Sequence, residues 1–164
     1  MSRVPVVREV AWVSLIPQLF IFAGLSAAVY LILPYPTTDI AVMMGAVLFI
    51  LWSFLARAVL TRAHRSGVRL MKKGRFREAT PKFQAALAFF ERYPWVDKFR
   101  YVVIFSNNRL SYREMALCNI AFAHAQLGEG PQAKVIYERV LAEYPDNGIA
   151  RSSLNMLRAG ERGR

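Results

Sequence analysis

The side chains able to act as nucleophiles, metal ligands or proton carriers are few. There is one thiol, Cys118, and there are two imidazoles, His64 and His124, sixty residues apart. Zinc sites draw three or four ligands from the protein, so a site built on cysteine and histidine alone would run short. Cys118 and His124 both stand in the apolar stretch L-C-N-I-A-F-A-H-A, where a buried, inert thiol and a packing histidine are expected. No glycine-rich phosphate loop and no G-x-S-x-G sequence is present, and the carboxylates of the second half fall singly rather than as converging pairs. The sequence therefore predicts no catalytic residue, no metal, no cofactor and a non-enzymatic protein.

The elements around these residues follow from how charge and apolarity are divided. The 164 residues carry 22 Lys and Arg against 11 Asp and Glu, a net charge of +11, yet 55% are hydrophobic and the mean hydropathy is +0.24. A soluble basic domain is not that apolar, so the two properties must be segregated along the chain. Residues 10–33 (VAWVSLIPQLFIFAGLSAAVYLIL) hold no charge and as a helix would cover roughly 36 Å, enough for a hydrocarbon core of about 30 Å. Residues 40–60 form a second run of spanning length whose single charge, Arg57, lies one turn from its end. Pro34, Pro36 and Asp39 between them break one helix and start the next, which predicts a transmembrane hairpin after a cytoplasmic segment at 1–9. Arg3, Arg8 and the small residues at 25–28 resemble a signal peptide, but the apolar block is too long for one and a second span follows directly. Gly24 with Ala28, and Ala41 with Gly45, are small-xxx-small pairs suited to packing the hairpin on itself. Pro17 and Gln18 read as a local kink with a tolerated polar residue. No carboxylate, lysine or histidine lies mid-span, which leaves a proton relay nothing to use.

Arg57, Arg62, Arg65, Arg69, Lys72 and Lys73, followed by Arg75 and Arg77, crowd the exit of the second span against Glu78 alone. This excess predicts both termini inside and the 34–39 turn outside, with Trp12, Tyr30 and Tyr35 at the interfaces. The first six cations are candidates for lipid headgroup contact, because the cytoplasmic flank of a span is where anionic lipid lies. Over 79–150 the charges nearly cancel, which argues against nucleic acid as a partner.

Self-similarity organises the rest. Leu117, Ile120, Ala121 and His124, then Gly128, then Ala133, Tyr137, Val140 and Pro145 follow the spacing of a helix, a turn, a second helix and a terminating proline. An earlier copy has Gly67 and Leu70, Gly74, then Phe76, Ala79, Phe83 and Ala86, with Pro94 three residues late. This pattern resembles the tetratricopeptide repeat, from which His124, Ala121, Val140, Ser66 and Glu91 depart. The resemblance implies an all-α domain of antiparallel helix pairs over 61–158, in which small residues let helices close-pack and large ones fill the gaps, and which holds a protein partner in a groove.

Gly74 and Gly128 lie 54 residues apart against a period of 34, which places an insertion at about 95–110. Ser111 and Glu114 then form an S-x-x-E box that starts the next helix. The run at 101–105 is too apolar for a solvated loop. It reads either as a flap packed internally or on the membrane, or as a docking element for a partner, with Trp95, Tyr101, Ile104 and Phe105 as candidate contacts. Residues 147–157 read as a closing helix and 159–164 as a frayed tail. Two repeats are fewer than the three or so a free solenoid needs, so stability is expected from the insertion, the membrane helix or an oligomeric partner, a second copy included. With no proline between Pro36 and Pro81, one continuous helix is predicted from Ile40 to about Lys72. Two functions fit. One is a membrane-anchored adaptor or scaffold that binds a partner, itself membrane-bound or not, at the cytoplasmic surface. The other is an accessory or assembly subunit that contacts a larger membrane complex through the hairpin.

Overall fold

The computed structural model describes residues 12–35 and 37–162. The fold is all-α: the described residues form nine α-helices and one 3₁₀ turn, with no strand. They divide into two compact units, a hairpin unit of the residues up to Thr61 with 98–109, and a helical unit of 62–97 with the residues from Leu110 onward. The expected N-terminal segment, 1–9, lies outside the described residues.

In the hairpin unit a 3₁₀ turn, Trp12–Ser14, leads into α1, Leu15–Ile32, and α2 is Thr38–Leu60. Both helices are long and apolar enough to cross a membrane. Thr37 caps α2, its hydroxyl oxygen accepting from the Ile40 amide at 3.4 Å. Pro17 falls in the first turn of α1, where a missing amide proton costs no helix bond. The kink expected there is therefore not required. Ala41 and Gly45 are buried between the helices, as their spacing predicts, but their counterparts on α1 are Ser26 and Val29. Gly24 and Ala28 are exposed. Two residues' advance along a helix turns a side chain by about 200°, which takes Gly24 and Ala28 to the face opposite Ser26.

The helical unit comprises α3 (Arg62–Lys72), α4 (Phe76–Arg92), most of the short α5 (Pro94–Lys98), α7 (Tyr112–Gln126), α8 (Gly130–Glu143) and α9 (Gly148–Arg162); α6 (Arg100–Val103) belongs to the hairpin unit. Successive helices pack in the order α3 on α4, α4 on α7, α7 on α8 and α8 on α9. Gly74 and Gly128, at φ 73° and 79°, close the α3–α4 and α7–α8 turns in a left-handed conformation that residues with a Cβ adopt only at a cost. The Ser111–Glu114 capping box is formed in full at the start of α7. One core cluster gathers Met71, Ala79, Phe83, Ile120 and Ala123. A second gathers Leu117, Cys118, Ala121, Ala133, Tyr137, Val140, Ala150 and Leu154. Residues 159–162, read as a frayed tail, continue α9.

The expectation of one helix from Ile40 to Lys72 is corrected: α2 ends at Leu60, Thr61 stands at φ −106° and ψ 13°, and α3 begins at Arg62. The Thr61 hydroxyl donates to the Arg57 carbonyl at 2.7 Å, while its amide is shared between the carbonyls of Arg57 and Val59. Such back-bonding by a β-branched hydroxyl competes with the helical ladder. Good helix propensity on either side did not decide the junction.

Candidate functional site

The least regular part of the hairpin unit is the segment that returns to it, Lys98–Arg109. Its backbone carbonyls would be costly beside apolar helices if they lacked donors. The hairpin and the segment supply them. Arg57 donates from Nε to the Ile104 carbonyl at 3.1 Å and from Nη2 to the Phe105 carbonyl. Gln18 Nε2 donates to Asn107 Oδ1 at 3.0 Å and to the Tyr101 carbonyl at 3.3 Å. The buried Ser14 hydroxyl donates to the same Asn107 oxygen at 3.1 Å. Arg100 closes the far side by donating to the carbonyls of Asn108 at 3.3 Å and Arg109 at 2.7 Å. Phe105 adopts φ 53°, a strained conformation for a residue with a Cβ, and is held there by its buried ring, edge-on to Phe49 at 4.9 Å. Phe49 in turn meets Phe22 edge-on.

This arrangement changes two expectations and separates two readings of a third. Arg57 was expected to reach for lipid headgroups, but its guanidinium is engaged by two carbonyls of the chain itself. Gln18 is a structural donor rather than a tolerated polar residue. Ile104 and Phe105, candidate partner contacts under one of the two readings of this run, are 0% and 1% exposed and so fit the other, an internally packed flap, because an apolar pair in a short irregular segment gains more by packing inside than by facing water. Of the four candidate docking residues, Trp95 is exposed and Tyr101 half-buried.

In the helical unit the residues assigned to repeat packing separate by position. Gly67, Ala79, Phe83, Ala86, Leu117, Ile120, Ala121, Ala133, Tyr137 and Val140 are buried, Leu70 and Phe76 half-buried, and Gly74, Gly128 and Pro145 exposed. Gly67 is pressed by the Phe83 ring, which stands 2.8–2.9 Å from where a Cβ would lie. His124 is half-buried and pairs through Nδ1 with Glu129 beyond the turn.

Polar residues that spacing did not single out anchor this unit. Asp97 is buried and its two carboxylate oxygens accept the first amides of α7, from Tyr112 at 2.8 Å and Arg113 at 2.9 Å. The S-x-x-E box signals that α7 begins there with amides to satisfy, but it does not say that a carboxylate from far upstream will satisfy them. Asn147 is 2% exposed; it donates to Glu114 at 2.7 Å and accepts the Ala150 amide at 2.7 Å at the start of α9. The same amide group lies 3.5 Å from the sulfur of Cys118. Burial, reinforced by the Glu114 charge and opposed by the Asn147 bond, pushes the Cys118 thiol up to about 12, so it is not a thiolate near neutrality. His64 packs edge-on to Phe83 and Tyr112 with no partner for Nδ1, and burial lowers it to about 4. Among the described residues no group of three His, Cys, Asp or Glu side chains is placed to hold a metal ion.

Comparison with known proteins adds no relative: the chain matches no family model, no curated protein and no solved structure.

Proposed function

We propose that this chain is an integral membrane protein with both termini in the cytoplasm, and that its helical unit is a tetratricopeptide-like adaptor holding a partner protein at the membrane surface. The observation that carries the membrane reading is the outward display of the hairpin: along α1 only Ser26 and Val29 are buried, while Leu19, Phe20, Leu31 and Ile32 are 64–82% exposed. A water-soluble fold does not leave so continuous an apolar surface uncovered. The polar residues Gln18 and Arg57 are turned to the returning segment, as they must be where lipid offers no hydrogen bonds. Orientation rests on the cations that follow α2. The adaptor role rests on the resemblance and on the stacked helix pairs, with Gly67, Ala79, Ala121 and Ala133 buried where small residues are needed.

One observation favours the second reading, an accessory subunit of a larger membrane complex. Gly24 and Ala28 face outward, and among the described residues nothing lies within 4 Å of where a Gly24 Cβ would stand, so a small-residue face suited to another span is left open by them. Photo-crosslinking residues placed in the full chain in cells separate the two. Adducts from Val135 or Met156, exposed on α8 and α9, support the adaptor. Adducts from Phe20 and Leu31 alone support the accessory subunit. A topology reporter that needs export, fused after Arg164, should stay silent; activity there overturns the orientation.

A further inference from the structure

The outer face of α3 carries charge that the other described residues do not answer. Arg62, Arg65, Arg69 and Lys72 are all exposed, and they recur three or four residues apart as one stripe, on the side away from the buried His64, Gly67 and Met71. From Arg62 to Lys72 the stripe is about 15 Å long. No ion pair or side-chain hydrogen bond to these four forms among the described residues. Cations on α7, α8 and α9 are answered by carboxylates. Arg113 pairs with Glu91 and Glu143, Lys134 with Glu161 at 3.2 Å, Arg139 with Glu91 and Glu143, and Arg158 with Glu138 at 3.0 Å. Like charges at these helical spacings repel, so α3 forms at a small electrostatic cost that an external anion would offset.

Chain connectivity indicates which anion. Arg62 stands two residues after Leu60, the end of α2, so it lies within about 7 Å of that helix end whatever the junction does. The polar headgroup layer beyond the hydrocarbon core is about 5–8 Å deep. Arg57, the basic side chain nearest the span, is already engaged by the Ile104 and Phe105 carbonyls. We propose that the Arg62, Arg65, Arg69 and Lys72 stripe binds the headgroups of anionic phospholipids. The proposal rests on the membrane reading above. A basic residue near an anionic surface contributes about 1 kcal/mol, or about fivefold in binding, so three together are worth on the order of a hundredfold before screening.

The test has two stages on the full chain. Carbonate washing of membranes should leave the protein in the pellet; release would overturn the membrane reading and this proposal with it. The purified protein in neutral detergent is then mixed with equal amounts of phosphatidylglycerol and phosphatidylcholine, and bound lipid is counted by native mass spectrometry. Phosphatidylglycerol adducts should predominate by at least tenfold. The triple variant Arg65→Gln, Arg69→Gln, Lys72→Gln should bring the ratio near one. The triple variant Lys134→Gln, Arg139→Gln, Arg158→Gln removes the same charge from the paired set and should leave the preference in place. An integral protein with no preference, or an equal fall in both variants, overturns the proposal; the first result would leave an acidic protein surface as the partner of α3.

Discussion

Replacing Gly45 by alanine tests how the hairpin is held together. Glycine within a helix ordinarily costs about 1 kcal/mol relative to alanine, so on propensity alone Gly45→Ala should stabilise α2. Packing opposes this. A Cβ at residue 45 would lie 2.8 Å from the Cα and 2.9 Å from the N of Ser26, and in contact with its hydroxyl. Carbon atoms pack at about 3.5–4.0 Å, so α1 and α2 would have to part by most of an ångström where Ala41, Gly45, Ser26 and Val29 meet. Overpacking of this kind costs about 1–3 kcal/mol, and the atoms in the way are backbone, which has no rotamer to escape to. A backbone clash belongs at the upper end of that range, so after the gain in propensity the net expectation is a loss of about 1–2 kcal/mol. The assay is an SDS titration of the full chain in mixed micelles, followed by energy transfer between dyes at Leu19 and Val59, both exposed, in a Cys118→Ala background. Gly24→Ala, with open space around its Cβ, should be neutral or slightly stabilising. Adding Ser26→Ala to Gly45→Ala removes the hydroxyl but not the Cα or N, and should restore little. A Gly45→Ala hairpin as stable as the parent, or one rescued by Ser26→Ala, would refute the reasoning.

Three further predictions concern single contacts. Gly67→Ala meets the Phe83 ring rather than backbone, so it should lower stability by about 1–2 kcal/mol, and a double-mutant cycle with Phe83→Leu should show coupling of at least 0.5 kcal/mol or so; strict additivity would count against a direct clash. Because the folded His64, at about 4, binds its proton less readily than the unfolded residue at 6.5, stability should be constant above about pH 6.5 and fall by about 3 kcal/mol as pH drops toward 4. In His64→Phe that loss should be smaller, and identical urea midpoints in the two proteins from pH 8 to 4 would rule it out. Arg57→Met leaves the Ile104 and Phe105 carbonyls without their donor. Losing bonds of this kind costs about 1–3 kcal/mol, seen as faster amide exchange over 104–108 and faster trypsin cleavage after Arg100 and Arg109; unchanged rates would mean that Arg57 does not hold the segment.

What could be read from the sequence is what local pattern and chain chemistry fix. Apolar runs of spanning length, with Arg57 the single charge in the second, gave two helices because only a helix satisfies its own backbone in apolar surroundings. Glycines at turn positions, the S-x-x-E box and recurring small residues placed α3, α4, α7 and α8, since each follows from backbone freedom, capping or close packing within one helix pair. The pattern did not reveal which face of α1 meets α2. Gly24 with Ala28 has the same spacing as Ala41 with Gly45, and only the packed hairpin shows that Ser26 and Val29 lie in the contact. Nor could spacing bring Gln18 and Arg57 to carbonyls more than forty residues away, Asp97 to the amides of α7, or Asn147 to Glu114. A buried polar group takes whichever partner the fold brings within about 3 Å, and sequence separation places no limit on that choice. The break at Thr61 is smaller in kind: a hydroxyl bonded to a carbonyl one turn back competed with a helical ladder that every neighbouring residue favoured, and the balance was settled in the folded chain.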